Sequence, residues 1–491
     1  MKKIYNNLSI VLIISVIIKI LGLLYKILTT RLLGLEGMRL ISLITPLLSL
    51  CLSISSFSIQ QVCNQNISLN LSTKENKTST IMLSCLKVTL TSSSIVSIFM
   101  LLSFPLYKVI YQESFIYYPL LLNIPLLYFS NISGVMKGYL EANNKFLVPY
   151  ISNLIESAFK LIVTIFLLYL LRNFEIRFQI IICYLVLMLS ELSSCIYLAS
   201  KIKKGKHINL KEPTNKFEFQ IFKQALPLTM DSLVATISGY LIPFIYYFSV
   251  NRLGYSFIEA TTYYALATAY AIPLLINGQF TTLTLTKLIF PSVTRFRNDT
   301  KALNNIINQA IFLTLIFSVI SFTLCYFEGE LLLDIMYGDT KSYEVVKKLA
   351  IIYLFLYFDP IFICILQAFN KEKSQLIITI ISQITAMIII FIFSQIPSIN
   401  LMGYIIGISI ASIIKCFFLG YKSLKIAKYN PKLLSFITLI ALSSLYLFLC
   451  IIINSTLIYL VVTLLYGALG LLLFYTFYNK ALFFRFDRLQ T

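Results

Sequence analysis

Two lysines in the first apolar segment are the residues whose type and spacing say most about chemistry. Lys19 and Lys26 lie seven residues apart within the apolar stretch 9–29. Seven residues make two helical turns, so both ammonium groups fall on one helix face. A lysine at the centre of a membrane-spanning helix costs roughly 2.5–3.5 kcal/mol on insertion scales. A wet internal cavity lowers that cost, and its fixed positive charge favours an anionic cargo. The alternatives are an ion pair with a neighbouring helix and, for Lys26, snorkelling outward.

Three acids and another lysine also fall within apolar stretches. Glu156 and Lys160 are four residues apart, so they can pair along one helix face. In the alternative, Glu156 holds Lys160 until the cargo arrives or carries a coupling proton. Asp231 and Asp359 are isolated acids at depth. We interpret each either as a proton or cation site or as the partner of a basic residue across the bundle.

Basic residues at the ends of the predicted helices are of two kinds. Arg31 and Arg252 lie near outer ends, where they either contact a phosphate of the leaving cargo or cap helix C-termini. Lys87, Lys287 and Lys415 lie toward cytoplasmic ends, where long side chains are expected to snorkel. The predicted headgroup-binding residues are Lys19, Lys26, Arg31, Lys160 and Arg252.

The composition is that of a membrane protein. Of the 491 residues, 58% are hydrophobic and 12% are charged, whereas a soluble domain carries about 25% charged residues. The net charge of +20 comes from basic residues that fall mainly in short loops on one side. That bias predicts orientation with both termini in the cytoplasm rather than nucleic-acid binding.

No enzyme motif is found in the sequence. The nine cysteines are scattered through apolar segments without a CxxC pair and are read as small hydrophobes. The single histidine, His207, lies in a polar loop. There is no phosphate-binding loop, serine nucleophile motif or metal cluster. We therefore predict that the chain is not an enzyme and uses neither metal nor cofactor.

The apolar runs are long enough for helices and predict an all-α polytopic membrane protein with fourteen spans. We expect a first six-helix lobe over 1–200, a basic cytoplasmic linker over 201–221 and a second six-helix lobe over 222–421. Two further helices and a cytoplasmic tail occupy 422–491.

Weak internal similarity suggests that the lobes are repeats. Gly138-Tyr139-Leu140 resembles Ala368-Phe369-Asn370, and Arg31-Leu32-Leu33-Gly34 resembles Asn251-Arg252-Leu253-Gly254. An even number of helices in each repeat gives both the same orientation, so the pseudo-symmetry axis should run along the membrane normal. Repeated lobes around a central site are typical of transporters.

Short motifs in order along the chain resemble a known family. They are Arg31-Leu-Leu-Gly-Leu-Glu-Gly37, Ser133-Gly-Val-Met-Lys-Gly-Tyr139 and Gly254-Tyr255-Ser256, with Pro273-Leu-Leu after them. This set resembles the stage V sporulation protein B family, which is related to the MurJ-type lipid II flippases and to the multidrug and polysaccharide exporters. The resemblance implies two pseudo-symmetric six-helix lobes with two extra helices. It also implies that Lys19, and less directly Lys26, faces the cargo cavity.

The sequence departs from the family at three places. Arg39 stands where relatives usually have a glycine, and Gln60-Gln61 stands where a Ser-Lys pair is common. Basic residues are also sparse near the start of the eighth predicted helix. These departures bear on the headgroup of the cargo more than on the fold.

The resemblance and the lysines together favour a flippase in the bacterial plasma membrane. Its cargo would be an undecaprenyl-pyrophosphate-linked saccharide, with lipid II for spore cortex peptidoglycan as the favoured case, moved by alternating access. Its partners would be this anionic lipid, the bilayer and enzymes of cell-wall or cortex synthesis.

Three other functions stay open. The first is export of another lipid-linked repeat unit. The second is cation-coupled multidrug antiport, which would call for an acid rather than lysines on the first helix. The third is a scaffold for cell-wall enzymes that transports nothing.

Overall fold

The computed structural model describes residues 2–72, 78–102, 114–143, 145, 147–203, 215–369, 371–453 and 455–478. Within these ranges the backbone is helical and no strand occurs, which confirms the all-α prediction. The side chains of Asp231 and Lys287 lie outside the described residues. The chain divides into two compact units, residues 1–244 and 245–491.

The first unit is built from helices that follow one another along the chain. They are α1 (Lys2–Ser56), α2 (Ile59–Ser72), α3 (Thr78–Leu102), α4 (Tyr117–Leu122), α5 (Ile124–Ala142), α6 (Leu147–Leu170), α7 (Ile176–Lys203) and α8 (Asn215–Asn251), which continues into the second unit. A short 3₁₀ turn, Ser114–Ile116, precedes α4.

The second unit continues in the same way. Its helices are α9 (Phe257–Ala265), α10 (Ile272–Arg295), α11 (Thr300–Phe327), α12 (Gly329–Tyr337), α13 (Tyr343–Leu356), α14 (Asp359–Ala368), α15 (Glu372–Phe393), α16 (Gly403–Ile426), α17 (Leu433–Ile452) and α18 (Thr456–Tyr478). A π-helical stretch, Leu266–Ala271, joins α9 to α10.

Twelve helical stretches of the described residues are long and apolar enough to cross a membrane. The first of them, Ile14–Ile67, includes a break in α1 at Gly34, whose φ of +62° is open to glycine but rare for other residues. The α9–α10 stretch is not among the twelve. A multi-pass membrane protein is thus established, whereas the predicted count of fourteen is not confirmed.

A capping box starts α9 at one of the family-like motifs. Ser256 accepts a hydrogen bond from the Glu259 backbone N–H, and the Glu259 carboxylate accepts from the Ser256 N–H at 2.8 Å. The Ser256 hydroxyl also donates to the Glu259 carboxylate at 2.9 Å, and the two hydrogen bonds that this carboxylate accepts lower the pKa of Glu259 below its ordinary value. Their stabilising effect is therefore present above the unfolded pKa of a glutamate and is lost as the pH falls through the lowered value.

Hydroxyl pairs attach the last two helices to α11. Tyr446 of α17 lies within hydrogen-bond distance of Thr323 of α11, at 2.8 Å, and of Thr463 of α18, at 2.9 Å. Ser443 and Tyr466 form a second pair at 2.8 Å. Because lipid tails are as apolar as leucine, packing and interhelical hydrogen bonds take a large share in holding such helices together.

Replacing Tyr446 by phenylalanine should weaken this attachment. Tyr446→Phe removes two interhelical hydrogen bonds, each worth about 0.6–1.7 kcal/mol in a membrane protein, so the melting temperature in detergent should fall. Tyr475→Phe is the matched control, since Tyr475 is exposed on α18. Equal melting temperatures of the two variants would show that these hydrogen bonds do not stabilise the attachment of α17 and α18 to α11.

Candidate functional site

A cluster of buried charges joins three helices of the first unit. Lys137 of α5 places its Nζ 3.9 Å from Glu156 Oε2 of α6 and 4.0 Å from Glu191 Oε1 of α7. Ser133, one turn before Lys137 on α5, donates a hydrogen bond to Glu191 Oε1. Lys137 and Glu191 are both about 9% exposed. One lysine thus lies between two carboxylates of neighbouring helices.

The structure gives Glu156 a different ion-pair partner from the one its spacing predicted. Lys137, not Lys160, is its close ion-pair partner. The sequence did not predict a role for Lys137, because this residue directly follows an apolar run, where a helix is expected to end. The helix instead continues to Ala142 and buries it. The i,i+4 spacing of Ser133 and Lys137 is the signal that could have placed both on one inward face.

A second basic group lies between α1 and α6. Lys160 places its Nζ 4.3 Å from the centre of the Tyr25 ring, a cation–π contact. Lys26, the residue after Tyr25, interacts electrostatically with Lys160. The structure therefore brings two of the predicted headgroup ligands, Lys26 and Lys160, into one neighbourhood.

The other predicted basic residues take different positions. Lys19 is exposed and lies on the same unbroken part of α1 as Lys26. Arg31 is exposed three residues before Gly34, and both Lys19 and Arg31 engage in a polar, ring or electrostatic contact. Arg252, in the second unit, donates from Nη1 to Gln395 Oε1 at 3.0 Å and packs against Phe248.

An acid at depth in the second unit is paired. Asp359, at the first turn of α14, lies 3.4 Å from Nζ of Lys415 on α16. The prediction that Lys415 snorkels is wrong, because its side chain is only 24% exposed and turns to Asp359. Lys87 is exposed and pairs with Glu218 at 3.4 Å. The predictions for Asp231 and Lys287 fall on side chains outside the described residues.

Two glycines let α5 approach α2 closely. A Cβ on Gly138 would overlap the carbonyl oxygen of Gln60, whereas one on Gly134 would make ordinary contact with Ile59 at 3.7 Å. This small-xxx-small spacing is a common means of bringing membrane helices together. It gives a physical reason for the family-like motif that contains both glycines.

The nine cysteines are all buried, as expected of small hydrophobic side chains. Among the described residues, no group of three His, Cys, Asp or Glu side chains has the arrangement of a metal site.

Comparison with known proteins identifies the relatives of this chain. The family described as "Polysaccharide biosynthesis protein" matches residues 4–252 and again residues 232–482. Stage V sporulation protein B of Bacillus subtilis (strain 168) is 22% identical over 405 residues, which are 80% of this chain and 78% of that protein. The predicted resemblance is therefore confirmed.

Solved structures share the fold. "Lipid II flippase MurJ, inward closed conformation" matches with a TM-score of 0.68 and 17% identity over 95% of this chain and 99% of that one. An inward-facing multidrug resistance MATE family transporter matches with a TM-score of 0.65 and 14% identity, over 84% and 96%. The chain thus shares the fold of these membrane transporters.

Removing Lys137 should destabilise the first unit strongly. Lys137→Met leaves two carboxylates without their counter-ion, and breaking a buried ion pair from one side costs about 3–5 kcal/mol. The double variant Lys137→Met with Glu191→Gln should regain part of the loss in melting temperature. Purely additive losses would show that the two residues do not interact.

Adding a methyl group at Gly138 should disturb the α2–α5 contact. Gly138→Ala should cost about 1–3 kcal/mol through overpacking against the Gln60 backbone, lowering the melting temperature. Gly134→Ala tests the same change one turn away, where the space suffices, and should melt close to wild type. A lower melting temperature for Gly134→Ala than for Gly138→Ala would contradict the close approach of α2 to Gly138.

Proposed function

We propose that this chain, which belongs to the polysaccharide biosynthesis protein family, is a flippase that carries a lipid-linked saccharide across the membrane. Family membership and the transporter fold support the class of cargo and the mode of action. The name of the Bacillus subtilis relative and that of the MurJ structure support lipid II for spore cortex peptidoglycan as the cargo.

The observation that carries the proposal is the proximity of two lysines inside the first unit. Lys26 and Lys160 repel each other electrostatically, and the Tyr25 ring lies beneath Lys160. Glu156 and Glu191 attract Lys160 electrostatically, whereas the repulsion by Lys160 is the charge interaction given for Lys26. Two like charges in a poorly solvated place cost free energy that an anion between them would recover. The pyrophosphate of a polyprenyl-linked sugar is such an anion, and lysine binds phosphate as a mobile point charge.

Lys26 and Lys160 form a basic surface, and Lys19 lies two helical turns before Lys26 on α1, where it would extend that surface. We propose that it contacts the headgroup before or after Lys26 and Lys160 do. Arg31 and Arg252 are assigned weaker contacts near helix ends. For Arg252, the hydrogen bond to Gln395 and the packing on Phe248 favour a structural role over a direct phosphate contact.

The acids serve mainly to hold the bundle. We assign Glu156 to the ion-pair cluster around Lys137 and Asp359 to its pair with Lys415. A coupling role for Asp231 stays a prediction. Because the described part of α1 carries lysines in its apolar stretch and its acid, Glu36, comes only after Gly34, cation-coupled drug antiport is the less favoured function.

The two matches to the family along the chain support two repeats, and transport would follow alternating access between them. We place the protein in the bacterial plasma membrane with both termini in the cytoplasm, following the basic loops. The lipid tail would stay in the bilayer while the headgroup crosses. Export of a different lipid-linked repeat unit remains the second candidate.

The test is flipping of lipid II by the purified protein in proteoliposomes. Lys26→Gln and Lys160→Gln should each raise the lipid concentration for half-maximal flipping about tenfold or more, the equivalent of one charge-assisted contact. Lys19→Gln should impair flipping in the same direction. Lys422→Gln removes an exposed lysine of α16 and should behave as wild type.

Two outcomes would go against the proposal. If the lysine variants flip lipid II as well as wild type does, the basic surface is not the headgroup site. If folded wild type flips a different polyprenyl-linked saccharide but not lipid II, the second candidate replaces the first.

A further inference from the structure

A polar cavity lies in the first unit where α1 ends and α2 begins. Its volume is about 480 Å³. The residues that line it, nearly all polar, come from the α1–α2 junction and from α5. Among them are Ser58, Gln60, Gln61, Asn64, Asn131 and Glu141.

The cavity exists because the helix is broken at Phe57 and Ser58. Their φ values of +44° and +47° lie in the left-handed region, which residues other than glycine seldom adopt. The break releases backbone groups from the helical ladder, and Ser92 of α3 donates to the Ser55 carbonyl at 2.6 Å. Non-helical backbone at membrane depth is tolerated where it is buried in protein or lines a cavity.

Asn131, beside the cavity, has an unsatisfied acceptor. Its side chain is 1% exposed, and its Nδ2 donates to Ser93 Oγ at 2.6 Å. The Ser93 hydroxyl donates in turn to the Thr89 carbonyl at 2.7 Å. In this arrangement Asn131 Oδ1 has no hydrogen-bond partner among the described residues. A donor on a bound molecule would satisfy it.

The lining chemistry separates this cavity from a phosphate site. Among the described residues, the lining contains no lysine or arginine. Its one carboxylate, Glu141, already accepts hydrogen bonds from Gln60 Nε2 at 2.9 Å and Asn64 Nδ2 at 3.2 Å. The volume is far larger than one desolvated cation requires. Amides and hydroxyls in a roomy cavity suit a neutral ligand rich in hydroxyl and acetamido groups.

We propose that this cavity binds a sugar ring of the cargo. Asn131 Oδ1 accepts an O–H or N–H from the sugar, and Gln61 and Ser58 supply donors and acceptors at the broken helix. The inference rests on the proposed function, because the sugar is taken to belong to the same lipid whose pyrophosphate meets Lys26 and Lys160. It adds a recognition element for the uncharged part of the headgroup.

The test uses free N-acetylglucosamine as the probe, with the purified full chain in detergent and saturation-transfer NMR as the readout. Gln61 is exposed, so Gln61→Ala should fold normally and weaken sugar binding about threefold to tenfold, the equivalent of one or two hydrogen bonds. Asn131→Leu should weaken it further. Gln65→Ala is the matched control, because Gln65 is exposed on the same helix and does not line the cavity.

Binding that Gln61→Ala weakens and Gln65→Ala does not would support the proposal. No binding to folded wild type, or equal binding to every variant, would overturn it. Stabilisation by sodium alone that Gln61→Ala removes would also overturn it in favour of a cation site. The assay involves no lipid transport. Loss of sugar binding with normal lipid II flipping therefore rejects only the cavity, and sugar binding without flipping of any lipid rejects only the proposed function.

Discussion

The cost of keeping charge away from water governs the arrangement of this protein's interior. A lone carboxylate or ammonium at membrane depth is expensive, so each must meet an opposite charge, a ring or a wet surface. Lys137 meets two carboxylates in the first unit, and Asp359 meets Lys415 in the second. In both units these contacts join separate helices. Neutralisation therefore also ties the bundles together.

Helix α5 connects the features of the first unit. One face carries Gly134 and Gly138, which let the α2 backbone approach, and the other carries Ser133 and Lys137, which meet the acids of α6 and α7. The polar cavity lies on the glycine side and the ion cluster on the lysine side. The seven-residue motif thus contributes to both the cavity and the ion cluster, because residues four apart share one helix face and the next pair lies on another.

Much of this could be read from the sequence, and the misses have physical causes. The apolar runs predicted the helices. Lys19 and Lys26 lie on one helix that is unbroken between them, as their spacing assumed. The burial of Lys137 was not predicted, because a helix can continue past its apolar run and bury a charged residue where carboxylates of neighbouring helices can pair with it. The partner of Asp359 could not be assigned from the sequence, because a single sequence does not show which distant lysine lies near this carboxylate in the folded protein.

The break at Phe57 and Ser58 left no signal in the sequence, as neither glycine nor proline stands there. Local preference would continue the helix, so tertiary contacts must impose the break. The hydroxyl that meets its freed carbonyl belongs to Ser92, which the ribosome adds more than thirty residues later. The segment would therefore enter the bilayer as an ordinary straight helix and acquire its bend only after α3 arrives, which makes the cavity a product of assembly rather than of insertion.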